Sequence, residues 1–360
     1  MSRLDALHQW VPSFASRDAI GGHARQIQKV VRERMGLQSE IYVVDAQPAV
    51  RSISSSYKKH RADDSGRSGI VYHLSVGSEM AGALADRPEP LVVDYHNITP
   101  ARFFDAWEPS AAYSVSLGRR QIPQLARRST AAMADSAYNE DELVQAGYGS
   151  TGVVPILLDT ATFDHEVDEA MAERLRQGGP LWLFVGRVTP NKAQHEIVLA
   201  FAAYRRLVDP MARLAIVGGV SSHAYDTALR KLVAELGLGD AVDLTGSVSD
   251  AELGAWYAAA DVLVCLSDHE GFCVPLLEAM WNGVPIVAFA TTAVPETLGD
   301  GGLLLHDKSP VHVAVAVDRV LRDDALRTAM IDAGRARIAD FALERTTEQL
   351  VEFLTPVVEG

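Results

Sequence analysis

Short apolar runs rich in β-branched residues alternate along this chain with segments whose apolar positions recur every three to four residues. That alternation predicts parallel strands joined by helices packed on their faces. In the first half the expected strands are 39–44, 70–74, 91–95 and 131–135, with 150–155 as the last before a crossover. Residues 6–11 lead through an expected loop over 12–22 into a helix striped by Ile27, Val30, Val31 and Met35. Ser136 is placed to cap a further helix. The second half repeats the plan, with strands at 181–188, 213–217, 241–245, 260–267 and 284–288 and helices near 192–207, 225–236 and 251–259. The expected class is therefore α/β, with two Rossmann-like domains of parallel sheet, 1–159 and 160–341, divided near Leu158-Asp159.

Chemistry concentrates in the run from Asp268 to Met280, where Glu270 and Glu278 bracket a glycine turn and a proline. The apolar residues before it place the run at a strand's C-terminal end. Gly271 and Phe272 form the turn, and Pro275 is pre-organised for the first turn of a helix continuing toward Asn282-Gly283. Amides of Cys273, Val274 and Leu276 are expected to point from that helix N-terminus, where partial positive charge favours phosphate. Carboxylates accept hydrogen bonds from vicinal hydroxyls, so one acid suits a hexose and the other a ribose, with a diphosphate between them. The bland alternative is a solvated loop acid and an ordinary helix-face acid.

Arg187 follows the apolar strand and Gly186, and Lys192 lies near the start of the next helix, so two cations are expected to converge on one anion. In the first half His96 also ends an apolar strand and is expected to project from it, with Asn97 and Thr99 after it. The bland alternative is a histidine whose two nitrogens are satisfied locally. His73 and Ser75 end the neighbouring strand. Gly21 and Gly22 are expected in a loop that lets backbone amides approach phosphate or acceptor, although glycine pairs also simply make turns.

The segment 261–305, with His269-Glu270-Gly271-Phe272-Cys273-Val274-Pro275-Leu276-Leu277-Glu278, Gly283-Val284-Pro285 and Val294-Pro295-Glu296, resembles the retaining glycosyltransferases of family 4, whose hallmark is a Glu, seven residues, Glu pattern. The resemblance extends to Phe184-Val185-Gly186-Arg187 and Asn191-Lys192, and more weakly to the whole chain. It implies the GT-B fold, with two sheets facing an interdomain cleft and a C-terminal helix, about 342–360, crossing back to the first domain. It further implies that Arg187 and Lys192 bind the donor diphosphate, that Glu270 holds the sugar and Glu278 the ribose, that Ser247 and Val248 lie by the base, and that His96 meets sugar and acceptor. The implied reaction moves a hexose-like sugar from a UDP- or GDP-linked donor to a saccharide, lipid or small-molecule hydroxyl, with no cofactor and no metal. Alternatives of the same shape are a nucleotide-sugar epimerase or a phosphorylase, and, from another class, a sugar-binding protein without chemistry. The chain departs from the family pattern at Ile156-Leu157, where many members have Asn-Gly, at Gly218-Gly219, which lacks an acid between the glycines, and at Ala193, where a glycine is common.

Composition narrows the picture only modestly. The chain has 360 residues, 48% of them hydrophobic, and a formal net charge of −14, which argues against general nucleic-acid binding. The first 160 residues hold 17 Lys+Arg against 18 Asp+Glu, so the acidity belongs to the second part. Lys58-Lys59, Arg119-Arg120, Arg127-Arg128 and the Arg25, Lys29, Arg32 face suit either solvated surface or peripheral contact with an anionic membrane on its cytoplasmic side. The N-terminal residues Met1-Ser2-Arg3-Leu4-Asp5 lack the pattern of a signal segment, and no apolar run approaches membrane-spanning length, so a cytoplasmic protein is expected. Two cysteines, Cys265 and Cys273, indicate neither a disulfide framework nor a thiolate metal cluster.

Overall fold

The computed structural model describes residues 3–15, 18–164 and 166–360, so Met1, Ser2 and part of the expected loop over 12–22 lie outside the described residues. The chain divides into two compact units, one of residues 1–102, 109–159 and 341–360, the other of 103–108 and 160–340.

The first unit runs β1 (Ala6–Phe14), α1 (Ala19–Glu33), β2 (Ile41–Ala46), β3 (Ser55–Ser56), β4 (Ser68–Leu74), α2 (Glu79–Leu84), β5 (Leu91–Tyr95), α3 (Pro109–Ala126), β6 (Ala131–Ala134), α4 (Ala137–Gln145) and β7 (Thr151–Val153). Its strands form one parallel sheet in the order β3-β2-β1-β4-β5-β6-β7. Every residue of β4 and β5 is buried, as befits central strands covered on both faces. β1 extends to Phe14, further than expected, because Pro12 and Ser13 continue the ladder beside β2 instead of opening a loop. Ser136 caps α4 by accepting the Asn139 amide.

The second unit holds α5 (Glu169–Arg176), β8 (Leu181–Val185), α6 (Gln194–Leu207), β9 (Arg213–Val217), α7 (His223–Glu235), β10 (Val242–Gly246), α8 (Asp250–Ala259), β11 (Val262–Cys265), α9 (Val274–Trp281), β12 (Ile286–Phe289), α10 (Val294–Leu298), β13 (Leu303–Leu305), α11 (Pro310–Arg322) and α12 (Asp324–Ile338). Its parallel sheet has the order β10-β9-β8-β11-β12-β13. The core gathers Trp182 and Phe184 of β8, Ile197 and Phe201 of α6, Ile216 of β9, Val264 of β11 and Val317 of α11. Residues 103–108 join this unit through Phe103 against His269 (ring centroids 5.9 Å), Trp107 against Tyr225 (5.3 Å) and Glu108 accepting from Ser222 (2.9 Å).

The last helix, α13 (Leu343–Glu359), belongs to the first unit, where Leu350 and Leu354 are fully buried with Ile27 and Val31 of α1 and Val92 of β5. Its apolar stripe rather than its polar sequence decides that placement.

Candidate active site

Side chains of opposite charge meet at the C-terminal edge of the second sheet. After β8 the chain makes a single 3-10 turn over Pro190–Lys192, and Ala193 then takes a left-handed conformation (φ 49°) before α6 begins at Gln194. Lys192 thus precedes the helix rather than starting it, and Ala193 occupies a backbone geometry that glycine adopts without strain. Asn191 stitches this turn to the loop after β11, donating to the His269 carbonyl (3.2 Å) while its own carbonyl accepts the Asp268 amide (2.9 Å). The result sets Lys192 Nζ on Glu270 Oε2 at 2.5 Å, with the Glu270 side chain 5% exposed. Burial alone would lower the Lys192 ammonium's pKa, but the Glu270 carboxylate raises it above its ordinary value. Thr292 accepts the Glu270 amide (2.9 Å) and donates to its carbonyl (2.7 Å), fixing the backbone that carries this acid.

Glu278 lies one turn into α9, half-buried, where Tyr257 Oη donates to its Oε2 at 2.6 Å. Burial first, and the Glu278 charge second, hold the Tyr257 phenol well above its usual range, so it stays a donor. Cys273, immediately before α9, is left-handed (φ 74°), and Phe272 is buried with its carbonyl accepting from Thr297 (2.6 Å). The expectation of a phosphate-facing Leu276 amide is not met, because that amide donates to the Cys273 carbonyl (3.1 Å) in a tight first turn. Gly271 and Val274 are half-buried beside it.

Arg187 is exposed at the end of β8. The loops after β8, β9 and β10 close against one another: a β-carbon on Gly218 would lie 2.1 Å from the Gly186 carbonyl oxygen, so only glycine admits this approach. Val248 is half-buried and Ser247 exposed at that rim.

In the first unit the sheet's C-terminal edge carries a buried histidine–aspartate cluster. Asp94 and His96, two apart on β5 and its extension, share a face, and Asp94 Oδ2 lies 3.1 Å from His23 Nε2, 3.1 Å from His73 Nδ1 and 3.2 Å from His96 Nε2. Protonation follows from the outer partners. Gln9 donates through Nε2 to the Ala24 carbonyl (2.9 Å), so its Oε1 accepts from His73 Nε2 (2.9 Å). The Leu157 amide donates to His23 Nδ1 (2.8 Å), which leaves the His23 proton on Nε2, facing Asp94. Burial pushes the His73 imidazole down to about 4, so its bare Nδ1 accepts from His96 Nε2 (2.9 Å). Burial disfavours charge on His96 too, but Asp94 and then Asp135 reverse that and hold it near 10. Burial raises the Asp135 carboxyl.

The expectation that His96 projects outward is therefore corrected: its side chain is 1% exposed, enclosed by His73, Asp94 and Asp135. His73 is likewise fully buried, its nitrogens occupied by Gln9 and His96. Asn97 (φ 65°) is buried with its amide on Asn139 (2.7 Å), whereas Ser75 and Thr99 remain half-buried. Gly21 and Gly22 fall inside the first turn of α1, not in a loop, and the Gly22 amide is spent on the Asp18 carbonyl (2.9 Å). Gly21 answers to packing, since a β-carbon there would sit 2.1 Å from the Ala15 carbonyl oxygen.

Among the described residues, two triads have ligand atoms within 4.8 Å of one another, His23-Asp94-His96 and Cys265-Glu270-Cys273. Neither suits a cation as it stands. His23 presents a proton rather than a lone pair, and Lys192 already brings positive charge to Glu270. Several basic groups of the first unit also have local partners: Arg119 pairs with Glu142, Lys58 with Glu79, Arg32 with Glu40, and Arg128 donates to main-chain carbonyls of Arg87 and Glu89. No helix among the described residues is long and apolar enough to cross a membrane.

Sequence reasoning missed Tyr257, Thr292, Asp94, Asp135 and Lys308, whose ammonium pairs with Asp268 and donates to the Leu266 carbonyl (3.1 Å). Asp94 and Asp135 carried a usable signal, since each is an acid at or just past the C-terminal end of an otherwise apolar strand. The others reach the site from distant elements and had none.

Residues 167–337 match the family described as Glycosyl transferases group 1. A D-inositol 3-phosphate glycosyltransferase of Kineococcus radiotolerans is 31% identical over 312 residues, 80% of this chain and 71% of that protein. Its counterpart from Frankia alni is 33% identical over 279 residues, 74% of this chain and 62% of the relative, so this chain spans under two thirds of that protein's length. A GDP-mannose-dependent alpha-(1-6)-phosphatidylinositol monomannoside mannosyltransferase of Mycobacterium tuberculosis is 35% identical over 214 residues, 56% of this chain and 54% of the relative. Among solved structures, sucrose-phosphate synthase from Thermosynechococcus elongatus superposes with a TM-score of 0.76 at 18% identity, covering 98% of this chain and 99% of that one. Anabaena HepE in complex with UDP-glucose gives 0.72 at 19% identity, covering 97% and 99%. These structural likenesses extend over both parallel-sheet units and establish a shared fold.

Proposed function

The chain belongs to the group 1 glycosyl transferases, and from that premise we propose that it is a retaining hexosyltransferase of family 4, using a UDP- or GDP-linked sugar as donor and a hydroxyl of a saccharide, lipid or small molecule as acceptor. The observation that carries this reading is the pair Glu270 and Glu278 across one strand-to-helix turn, with Lys192 on the first and Tyr257 on the second. In the proposed complex Glu278 accepts from the ribose hydroxyls and Glu270 from the hexose. Lys192 and Arg187 stabilise the diphosphate, which gains negative charge as the sugar–oxygen bond breaks. The departing phosphate oxygen takes the acceptor's proton on the same face, so the anomeric configuration is kept. Fixed cations then fill the part a divalent metal plays elsewhere, and turnover is expected to survive excess chelator.

The names of the relatives include a phosphorylated inositol and a lipid-linked mannoside as acceptors, so both polyol phosphates and glycolipids belong in the assay. The test is an NMR time course with donor and acceptor panels. Retained configuration, activity in chelator and loss on Lys192→Ala agree with the proposal. An inverted product, or activity abolished by chelator and restored by magnesium or manganese, contradicts it.

A further inference from the structure

The chain's two cysteines come together at the carboxylate assigned to the hexose. Cys265 ends β11 and Cys273 immediately precedes α9, so a thiol stands at each end of the loop that carries Glu270. Their sulfurs are 3.9 Å apart, and both residues are buried. Lys192, whose ammonium sits on Glu270, is close enough for its charge to act on both sulfurs. A metal is a poor occupant of this triad for the reason already given. The backbone offers no reason for the second thiol, because φ 74° favours glycine or asparagine over cysteine. What the geometry suits is a bond between the sulfurs.

We propose that Cys265 and Cys273 are a modification site at which a peroxide forms a reversible disulfide, and that this bond withdraws the donor-binding turn. The Cys265 thiolate attacks the peroxide O–O bond and becomes a sulfenic acid, the other oxygen leaving as hydroxide that takes up the thiol's proton as water. Cys273 sulfur then attacks Cys265 sulfur, the S–S bond forms, and the sulfenic oxygen departs as a second water. Two thiols thus lose two electrons and two protons while one peroxide is reduced to two waters. Cys265 suits the first step because the hydrogen bond from Cys273 holds its thiol below the ordinary value. A disulfide of about 2.05 Å requires the sulfurs to close by nearly 2 Å. Cys265 is held in the sheet opposite Ala288 of β12, so the movement falls on Cys273 and the α9 N-terminus, and with them on Glu270. The effect on donor binding rests on the reading under Proposed function, whereas the disulfide does not.

The test treats the full chain with hydrogen peroxide, then counts thiols in denaturant, weighs the intact protein and titrates the nucleoside diphosphates UDP and GDP. The expected result is loss of both thiols and of two hydrogens in mass, with nucleotide affinity down about tenfold or more, the scale of one lost charge-assisted hydrogen bond. Dithiothreitol restores all three. Cys265→Ala, or Cys265→Ser where the first variant does not fold, binds nucleotide before treatment and never loses two hydrogens. A gain of oxygen in the wild type with one thiol still free overturns the pairing. Equal nucleotide affinity in the reduced and paired forms overturns the coupling. Pairing that shifts the melting temperature of a protein that binds no nucleotide in either form upholds the disulfide and sinks the donor reading instead.

Discussion

Tyr257 gives Glu278 its direction, and the pair makes a sharp prediction for a single oxygen atom. Tyr257→Phe deletes the donor 2.6 Å from the carboxylate without changing the ring. Nucleoside diphosphate binding should weaken by about 1.5–3 kcal/mol, the worth of a hydrogen bond to a charged group. Calorimetry checks it, and an unchanged Kd would separate Glu278 from the ribose. His96→Ala removes the imidazole between two buried carboxylates, Asp94 and Asp135, and is expected to destabilise the protein by about 3–5 kcal/mol, the scale for breaking a buried charge pair. Thermal unfolding checks it, and an unchanged melting temperature would contradict that enclosure. At this scale the sequence was legible where chemistry is local. Glu270, Glu278 and Lys192 announce themselves through a glycine turn, a proline and the strands before them. Tyr257 does not, because it reaches Glu278 from another helix 21 positions away. His96 was found by its place at a strand end, but its enclosure by His73 and Asp135 depends on three strands lying in one order, which no local pattern states.

Elements were legible from periodicity, and their ends were not. β5 and β9 match the expected ranges because apolar runs stop at polar residues there, while β1 runs on through Pro12 and Ser13, whose polar and cyclic character reads as loop. The two glycines assigned to that loop instead begin α1, and they differ in what surrounds them. A β-carbon at Gly21 meets the Ala15 carbonyl oxygen at 2.1 Å, whereas one at Gly22 meets nothing within 4 Å. Gly21→Ala is therefore expected to destabilise the protein by about 1–3 kcal/mol, the cost of overpacking. Gly22→Ala should instead stabilise it by about 0.5–1 kcal/mol, since alanine is the better helix former. Thermal unfolding of both variants decides the matter, and equal melting temperatures would contradict the packing seen at the start of α1.

For the whole molecule, the alternation of runs and stripes gave away two parallel sheets and the family resemblance implied the return of the last helix, but neither indicated the membership of residues 103–108 in the second unit. That segment is held by Phe103, Trp107 and Glu108 against residues more than a hundred positions away, contacts that only the folded chain creates. The buried cluster on β4, β5 and β6 gives the molecule a pH signature with two signs. His96, facing Asp94, Asp135, His73 and His23, binds its proton more tightly when folded, so its contribution is full below about pH 6.5 and is lost as pH rises through about 10. His73, held down to about 4 by burial, works the other way, its neutral form costing stability as pH falls from about 6.5 toward 4. Melting temperature should therefore decline on both sides of neutrality, and Asp135→Asn should bring the alkaline decline to lower pH. A profile unchanged by that variant would contradict the assignment of a charged His96.

The central claim is that the second sheet's edge holds a nucleotide sugar through Glu270, Glu278 and Lys192. The most direct measurement is calorimetric titration of UDP-hexoses and GDP-hexoses into the wild type and into Glu278→Ala. Saturable binding of one nucleotide class by the wild type, weakened about tenfold or more in the variant, is the predicted result. Equal affinity in the two proteins, or no binding of either class to the wild type, would contradict it.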